Sequence, residues 1–154
     1  MVDIVRVESP EQFEQMGKLI VEYVGTLDFQ LTFQDYEREI AELPQTYGPP
    51  AGAAFLALDS REPVGTVGVR LFEGSICELK RMYVRPKERG MGAGRSLVVA
   101  AIEAGRALGY ERMRLDTVPE MTTAISLYTS AGFYDIEAYR PNPIPGARFL
   151  ELAL

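Results

Sequence analysis

The chain has 154 residues, of which 47% are hydrophobic and 25% are charged, and its 22 acidic residues outnumber 16 basic ones. This composition is typical of one globular domain and excludes a disordered or fibrous chain. The net charge of −6 disfavours broad binding to nucleic acid or to an anionic membrane, although a local basic patch could still bind a small polyanion.

The chain contains no histidine, and Cys77 is its only cysteine. The lack of histidine excludes Ser-His-Asp and Cys-His hydrolases and histidine-ligated zinc sites. A single cysteine excludes an intramolecular disulfide and favours a reducing compartment. No apolar run reaches membrane-spanning length, and the first residues lack the basic and apolar regions of a signal peptide. We therefore expect a cytoplasmic protein that needs no metal.

The first half of the chain predicts one strand, two helices and then three strands. Alternation of apolar and charged residues predicts a strand over Val2–Val7. Ser9-Pro10-Glu11-Gln12 has the pattern of a helix start with a capping box. A second helix is predicted over Thr32–Leu43, with Pro44 ending it. Three short strands follow, over Ala53–Leu58, Val64–Phe72 and Ile76–Val84.

The second half predicts helices and strands in alternation. The predicted elements are a helix over Gly92–Leu108, a strand over Arg112–Thr117, a helix over Thr122–Ala131, a strand over Phe133–Tyr139, a proline-rich loop over Pro141–Gly146 and a strand over Arg148–Leu154. Hairpin-linked strands followed by strand-helix-strand units predict an α/β (α+β) sandwich with a mixed sheet. No linker or repeat divides the chain, so we expect one domain over residues 1–154.

A glycine-rich loop, Arg89-Gly90-Met91-Gly92-Ala93-Gly94-Arg95-Ser96, connects the strand Ile76–Val84 to the following helix. Glycine permits backbone dihedrals closed to other residues and lets a ligand approach the main chain. The first N–H groups of a helix lack intrahelical partners and bind anions, and Lys87 adds positive charge beside the loop. The loop therefore predicts a pyrophosphate site, the alternative being a solvated turn that merely starts a helix.

The loop departs from two common phosphate-binding motifs. No Gly-Lys-Ser or Gly-Lys-Thr triplet is present, and Arg95 occupies the last glycine position of a dinucleotide fingerprint counted from Gly90. Instead, Arg89-x-x-Gly92-x-Gly94, preceded by Tyr83-Val84-x-Pro86, resembles the acetyl-CoA signature of the GNAT N-acetyltransferases.

A second run, Ala124-x-x-Leu127-Tyr128-x-x-x-Gly132-Phe133, is similar to another motif of that family, although Met121 stands where many members have asparagine. The resemblance covers nearly the whole chain. It implies a GNAT-like mixed, mostly antiparallel central sheet flanked by helices on both faces, with acetyl-CoA as co-substrate.

The resemblance also implies where the coenzyme lies. The thioester would lie between the strands Ile76–Val84 and Arg112–Thr117, where two parallel neighbours splay apart. A backbone N–H group near Met82, Tyr83 or Val84 would bind the acetyl carbonyl and stabilise the oxyanion. The backbone of the loop would bind the pyrophosphate, through Arg89, Gly90, Met91, Gly92, Ala93, Gly94, Arg95 and Ser96.

Two side chains are candidates for proton transfer. An attacking amine with a pKa of about 10.4 costs about 4.6 kcal/mol to deprotonate at pH 7, so a base is useful. Glu78 resembles the catalytic glutamate of some family members, acting directly or through a water; the alternative is a surface glutamate paired with Arg81 or Lys80. Tyr128, which the resemblance places near the sulfur, is the candidate acid; the alternative is a core aromatic residue.

The sequence thus predicts an acetyl-CoA-dependent N-acetyltransferase that acts by direct attack of a primary amine in a ternary complex. A non-catalytic CoA-binding sensor or regulatory module is the alternative. The expected acceptor is a small-molecule amine or a peptide amine, with no nucleic acid or membrane partner. Arg81, Arg140 and Arg148 could bind an acidic acceptor, whereas the acidic excess could favour a cationic one. The oligomeric state stays open, with a homodimer as one option.

Overall fold

The computed structural model describes residues 2–26 and 33–154. In chain order its elements are β1 (Val2–Arg6), α1 (Pro10–Gly25), α2 (Phe33–Ala41), α3 (Leu43–Tyr47), β2 (Ala53–Asp59), β3 (Glu62–Glu73), β4 (Ile76–Val84), α4 (Ala93–Ala107), β5 (Arg112–Thr117), α5 (Thr122–Ala131), β6 (Tyr134–Ile136) and β7 (Arg148–Ala153). A short 3-10 turn, Pro86–Glu88, separates β4 from α4.

The seven strands form one sheet in the order β1-β2-β3-β4-β5-β7-β6. Every neighbouring pair is antiparallel except β4 and β5, which are parallel. One core contains the buried side of α4 with the sheet, and a second core contains α1 and α3 with β2 and β4. The predicted fold class, a mixed and mostly antiparallel sheet with helices on both faces, is therefore confirmed.

Local signals in the sequence account for the start of α1. The Gln12 N–H donates to Ser9 Oγ at 3.1 Å, and the Ser9 N–H donates to Gln12 Oε1 at 2.9 Å, which completes the predicted capping box. The apolar stripe of the helix, including Met16 and Ile20, is then buried against the sheet. None of the helices in the two described ranges is long and apolar enough to cross a bilayer.

The main differences from the prediction concern the second helix, which is followed by the unpredicted short helix α3, and the strand after α5. The second helix ends at Ala41, and Pro44 lies in the first turn of α3, where its missing N–H costs no hydrogen bond. The predicted start of that helix, Thr32, lies outside the described residues. The strand predicted through Tyr139 ends at Ile136, because Tyr139 leaves the sheet edge and donates its hydroxyl hydrogen bond to Glu78.

Candidate functional site

The central feature of the site is a cleft between β4 and β5. The two strands pair only at Ile76–Glu78 and Arg112–Arg114, and their register ends there. Beyond that point a cavity of about 750 Å³ opens, lined by residues of both strands, of α5 and of the segment after β6. The cleft occurs between the two strands that the resemblance indicated.

A β-bulge shapes β4 where it borders the cleft. Thr66 pairs with Tyr83 and Gly68 with Lys80, so Arg81 and Met82 together oppose one residue of β3. Arg81 has a φ of +59°, a left-handed conformation that costs roughly 1–3 kcal/mol for a residue other than glycine. A bulge leaves its extra residue outside the ladder, so backbone groups here are available to a ligand.

The bulge is supported from α2. The guanidinium of Arg81 donates to both carboxylate oxygens of Glu39, with the Nη2–Oε1 bond at 3.0 Å. Both side chains are mostly buried, at 13% exposure each, so this charge-assisted pair offsets the strain of the backbone. The pairing of Arg81 with Glu78, one of the alternatives from the sequence, is not formed; Glu78 pairs with other arginines.

The three predicted residues at the end of β4 have different environments. The side chain of Met82 lines the cavity. Tyr83 packs on the α1 side and donates to Glu22 Oε2 at 2.7 Å; burial and this bond raise the pKa of Tyr83 to about 12. Val84 packs on the α4 side, and its carbonyl accepts a bond from Arg89 Nε at 3.0 Å. The side chains of Tyr83 and Val84 thus serve packing.

The glycine-rich loop has two residues with positive φ and leads into a helix start with unpartnered N–H groups. Gly90 and Gly92 have φ values of +90° and +83°. A Cβ on either residue would meet no atom within 4 Å. Glycine is therefore favoured at both positions by the backbone conformation and not by a lack of space for a side chain. The Ser96 N–H makes the first intrahelical bond, to the carbonyl of Gly92 at 3.0 Å. The preceding N–H groups, of residues 93–95, therefore have no acceptor within the helix.

Some of the remaining loop residues pack against the helices, and others are exposed and include two arginines. Ala93 is buried, and a Cβ on Gly94 would lie 2.9 Å from Leu127 Cδ1 and 3.3 Å from Met82 Cε. Gly94 is thus required for close contact of α4 with α5 and with the bulge. The exposed loop residues are Arg89, Met91, Arg95 and Ser96. The two arginines therefore place positive charge beside the free N–H groups.

Tyr128 forms part of the cavity wall from α5. Only 5% of it is exposed, and its ring packs edge-on against Phe133 with centroids 5.8 Å apart. Burial raises the pKa of Tyr128 well above its usual range, which keeps the phenol protonated and able to donate a hydrogen bond. Met121 and Ala124 of the same helical segment also line the cavity.

Glu78 is completely buried and accepts three hydrogen bonds, one from each of three residues. Arg70 Nε donates to Oε1 at 3.0 Å, and Arg70 Nη2 lies 3.0 Å from the same oxygen as an ion pair. The Tyr139 hydroxyl donates to Oε2 at 2.9 Å, and the Arg140 guanidinium donates to the same oxygen. Burial acts to raise the pKa of Glu78, but the positive charge of Lys80 and the bond from Arg140 outweigh it, so the net pKa is lowered.

Several residues at the cavity were not singled out from the sequence. Those in the segment after β6 are Pro141, Asn142, Pro143, Ile144 and Pro145, which line the cavity beside Arg140, a residue already considered for an acidic acceptor. Asp116, at the end of β5, accepts a bond from Asn142 Nδ2 at 3.3 Å. Three prolines in five residues restrict the backbone, and this density is the signal that could have indicated a fixed wall. Asp116 carries no comparable signal.

The fold and cleft define a class, the acyltransferases that use acyl-CoA. The sequence matches the Acetyltransferase (GNAT) family over residues 20–133, a range that contains the loop and Tyr128. It is 37% identical to an uncharacterized N-acetyltransferase of Schizosaccharomyces pombe, over 99% of this chain and 95% of that protein. The chain belongs to the GNAT acetyltransferase family, which confirms the family resemblance and the enzyme class predicted from the sequence.

Solved structures agree with this assignment of the fold. The crystal structure of a GNAT acetyltransferase from Staphylococcus aureus superimposes with a TM-score of 0.83 at 19% identity and covers 99% of both chains. The PaiA N-acetyltransferase of Thermoplasma acidophilum, crystallised in complex with coenzyme A, superimposes with a TM-score of 0.73 at 15% identity. That comparison covers 100% of this chain and 99% of the other.

Proposed function

We propose that the protein transfers an acetyl group from acetyl-CoA to a primary amine by direct attack in a ternary complex. The observation that carries this proposal is the cleft between β4 and β5, which begins where their pairing ends at Glu78 and Arg114. A cradle of N–H groups without helical partners lies at the start of α4, and the cavity opens between the separated strands. A thioester in this cleft could meet an amine from the cavity side.

The loop fits the diphosphate of the coenzyme. The N–H groups of residues 93–95 are the proposed donors, and charge-assisted bonds of this kind contribute roughly 1.5–3 kcal/mol each. The exposed Arg89 and Arg95 add attraction for the anion. Gly90 and Gly92 have no side chain to obstruct its approach. The predicted coenzyme-binding residues are therefore proposed to act mainly through their backbone.

The proposed reaction forms a C–N bond and breaks the C–S bond of the thioester. The amine nitrogen attacks the carbonyl carbon, and a backbone N–H near Met82–Val84 stabilises the oxyanion. The nitrogen loses a proton to a base, and the sulfur departs as a thiolate. Tyr128 donates a hydrogen bond or a proton to that thiolate, a role supported by its place in the cavity wall and its protonated phenol.

Two observations weigh against the base role proposed for Glu78: its carboxylate oxygens already accept bonds from Arg70, Tyr139 and Arg140, and its side chain is buried behind the cavity lining. A lowered pKa also makes Glu78 a weaker proton acceptor than an ordinary carboxylate. The same contacts support a second role, in which Glu78 positions Arg140 at the cavity wall. The two roles predict different kinetics for a Glu78 variant.

Thiol release from acetyl-CoA across a panel of amines tests the proposal, together with thermal unfolding in the presence of CoA. We expect CoA at one hundred times its Kd to stabilise the protein by about 2.7 kcal/mol, and at least one amine to accelerate thiol release. Binding without thiol release would instead support the non-catalytic CoA-binding module. No stabilisation by CoA would contradict both functions.

A further inference from the structure

The charged residues that line the cavity are mainly cationic. Lys80, Arg81 and Arg140 all belong to its wall, whereas Asp116 is the one acidic lining residue in the part of the chain that the structure describes. The carboxylates that pair with the two arginines do not belong to the lining. A ligand in the cavity therefore meets more positive than negative side chains, although the whole chain is acidic.

Lys80 is the least compensated of these cations. It lies on β4 directly opposite Gly68, and among the side chains that the structure describes, those of residues 2–26 and 37–154, no carboxylate comes within 4 Å of its ammonium group. Burial lowers the pKa of Lys80, and three neighbouring arginines act in the same direction against the opposing effect of Glu78. A partly buried ammonium group of this kind is stabilised by an added anion.

Arg140 is held in place and keeps donors available. Its Nη2 donates to Glu78, and its guanidinium carbon lies 5.0 Å from the ring centroid of Tyr139 and 5.5 Å from that of Phe72. Because a guanidinium has five N–H donors in a planar fork, donors remain after this contact. A fork packed against two aromatic rings is well suited to bind a carboxylate with two parallel bonds.

We infer that the acceptor is an amine that also carries a carboxylate, as amino acids do. Lys80 and Arg140 bind the carboxylate, and Asp116 accepts hydrogen bonds from the amine. This inference rests on the proposed acetyl transfer and specifies its substrate class. A polycationic amine without a carboxylate would place its second charge near three cations of the wall, which is unfavourable in a partly desolvated cavity.

The test compares acceptors that differ only in the carboxylate. L-α-amino acids and 4-aminobutyrate are each assayed by thiol release beside the corresponding carboxamide, which has nearly the same shape and no charge at that end. We expect kcat/KM to be at least about tenfold higher for the best acid than for its amide. Amides that react as well as their acids would overturn the inference.

Variants of Lys80 and Asp116 test whether these residues cause the preference for a carboxylate-bearing acceptor. Lys80→Met, which keeps the apolar stem, should reduce the acid-to-amide ratio about tenfold, and Lys80→Arg should preserve most of it. Asp116→Asn should lower kcat/KM for acids and amides alike. Lys18→Met is the matched control, because Lys18 is an exposed lysine on α1 with 75% of its side chain accessible. An unchanged ratio in Lys80→Met would also overturn the inference.

The same assay separates this inference from the proposed function. Thiol release that is equal for acids, amides and simple amines would refute the carboxylate preference and leave acetyl transfer intact. No thiol release with any amine would contradict acetyl transfer itself and therefore also the preference for a carboxylate-bearing acceptor.

Discussion

The carboxylate of Glu78 and the guanidinium of Arg140 form an ion pair between residues 62 positions apart in the sequence. Glu78 lies on β4 with none of its side chain exposed, and Arg140 reaches it from the segment that follows β6. Arg70 and the Tyr139 hydroxyl complete the contacts of the carboxylate. This pair connects strand β4 to the proline-rich segment after β6 that lines the cavity. Its loss should therefore lower the free energy of unfolding and also disturb the cavity.

Glu78→Gln should lower the free energy of unfolding by about 3 kcal/mol at pH 7. The change leaves Arg70 and Arg140 beside a neutral amide, and loss of one partner from a buried pair costs roughly 3–5 kcal/mol. We expect the lower value because both arginines are partly exposed, at 31% and 25% of their side chains. Urea denaturation measures the effect, with the exposed Glu73→Gln as control. Equal midpoints for the two variants would contradict it.

The contribution of Glu78 to the free energy of unfolding should depend on pH. Its pKa is lowered in the folded protein below the ordinary value of 4.5, so the stability that it adds is complete above that value. The contribution should decrease as the pH falls below about 4.5 through the pKa of the folded state. The difference in unfolding free energy between wild type and Glu78→Gln should therefore be constant from pH 6 to 7 and shrink below pH 4.5. A difference that grows in acid would be inconsistent with an ionised, paired carboxylate.

The kinetics of Glu78→Gln distinguish a base from a positioning residue. Loss of a general base should lower kcat by about 10²–10⁴-fold and remove one limb of the pH profile of kcat. Loss of positioning alone should raise KM for the acceptor while kcat and its pH profile change little. Steady-state assays over a range of pH, at saturating acetyl-CoA, measure both quantities.

Tyr128→Phe should lower kcat about tenfold and leave acetyl-CoA binding unchanged. The substitution removes one hydrogen-bond donor from the cavity wall and keeps the ring that packs against Phe133. Stopped-time thiol-release assays measure kcat, and thermal shift with CoA measures binding. Tyr134→Phe is a control, since that tyrosine is 43% exposed on β6. Unchanged turnover with bound acetyl-CoA would eliminate the proposed role of the hydroxyl.

Gly92→Ala should weaken CoA binding as well as stability. Gly92 has a φ of +83° at the N-terminal cap of α4, and alanine in the left-handed region costs roughly 1–2 kcal/mol. Gly74→Ala is a matched control, because Gly74 also has a positive φ, +56°, and open space around it, but lies in the turn between β3 and β4. Both variants should lose similar stability, and only Gly92→Ala should raise the Kd for CoA. An equal Kd in both would argue against the cradle.

Cys77 should resist thiol reagents in the folded protein. It is fully buried in the core beside α4, and burial raises the pKa of its thiol to about 12, so little reactive thiolate exists at pH 8. Ellman's reagent should titrate one thiol per chain in urea and almost none under native conditions. Rapid stoichiometric reaction of the native protein would show that β4 opens readily.

Much of the fold could be predicted from local patterns. Local sequence patterns predicted three features: the capping box at Ser9 and Gln12, the strand Ile76–Val84 and the helix beginning after Gly92. The end of β6 could not be predicted this way, because Tyr139 bonds to a residue 61 positions away. The prediction that Pro44 ends the second helix is wrong, because a proline that can end one helix can equally begin the next.

The sequence by itself determined the family, the order of the elements other than α3, and the position of the glycine-rich loop, since these depend on residue type, periodicity and spacing along the chain. Only the tertiary structure decided which charges meet. In the folded protein Arg70 and Arg140 form ion pairs with Glu78, and Arg81 forms one with Glu39. Lys80 and Asp116 both line the cavity. The physical reason is that ion pairing and desolvation depend on distances in space, which the register of the sheet and the bulge in β4 set.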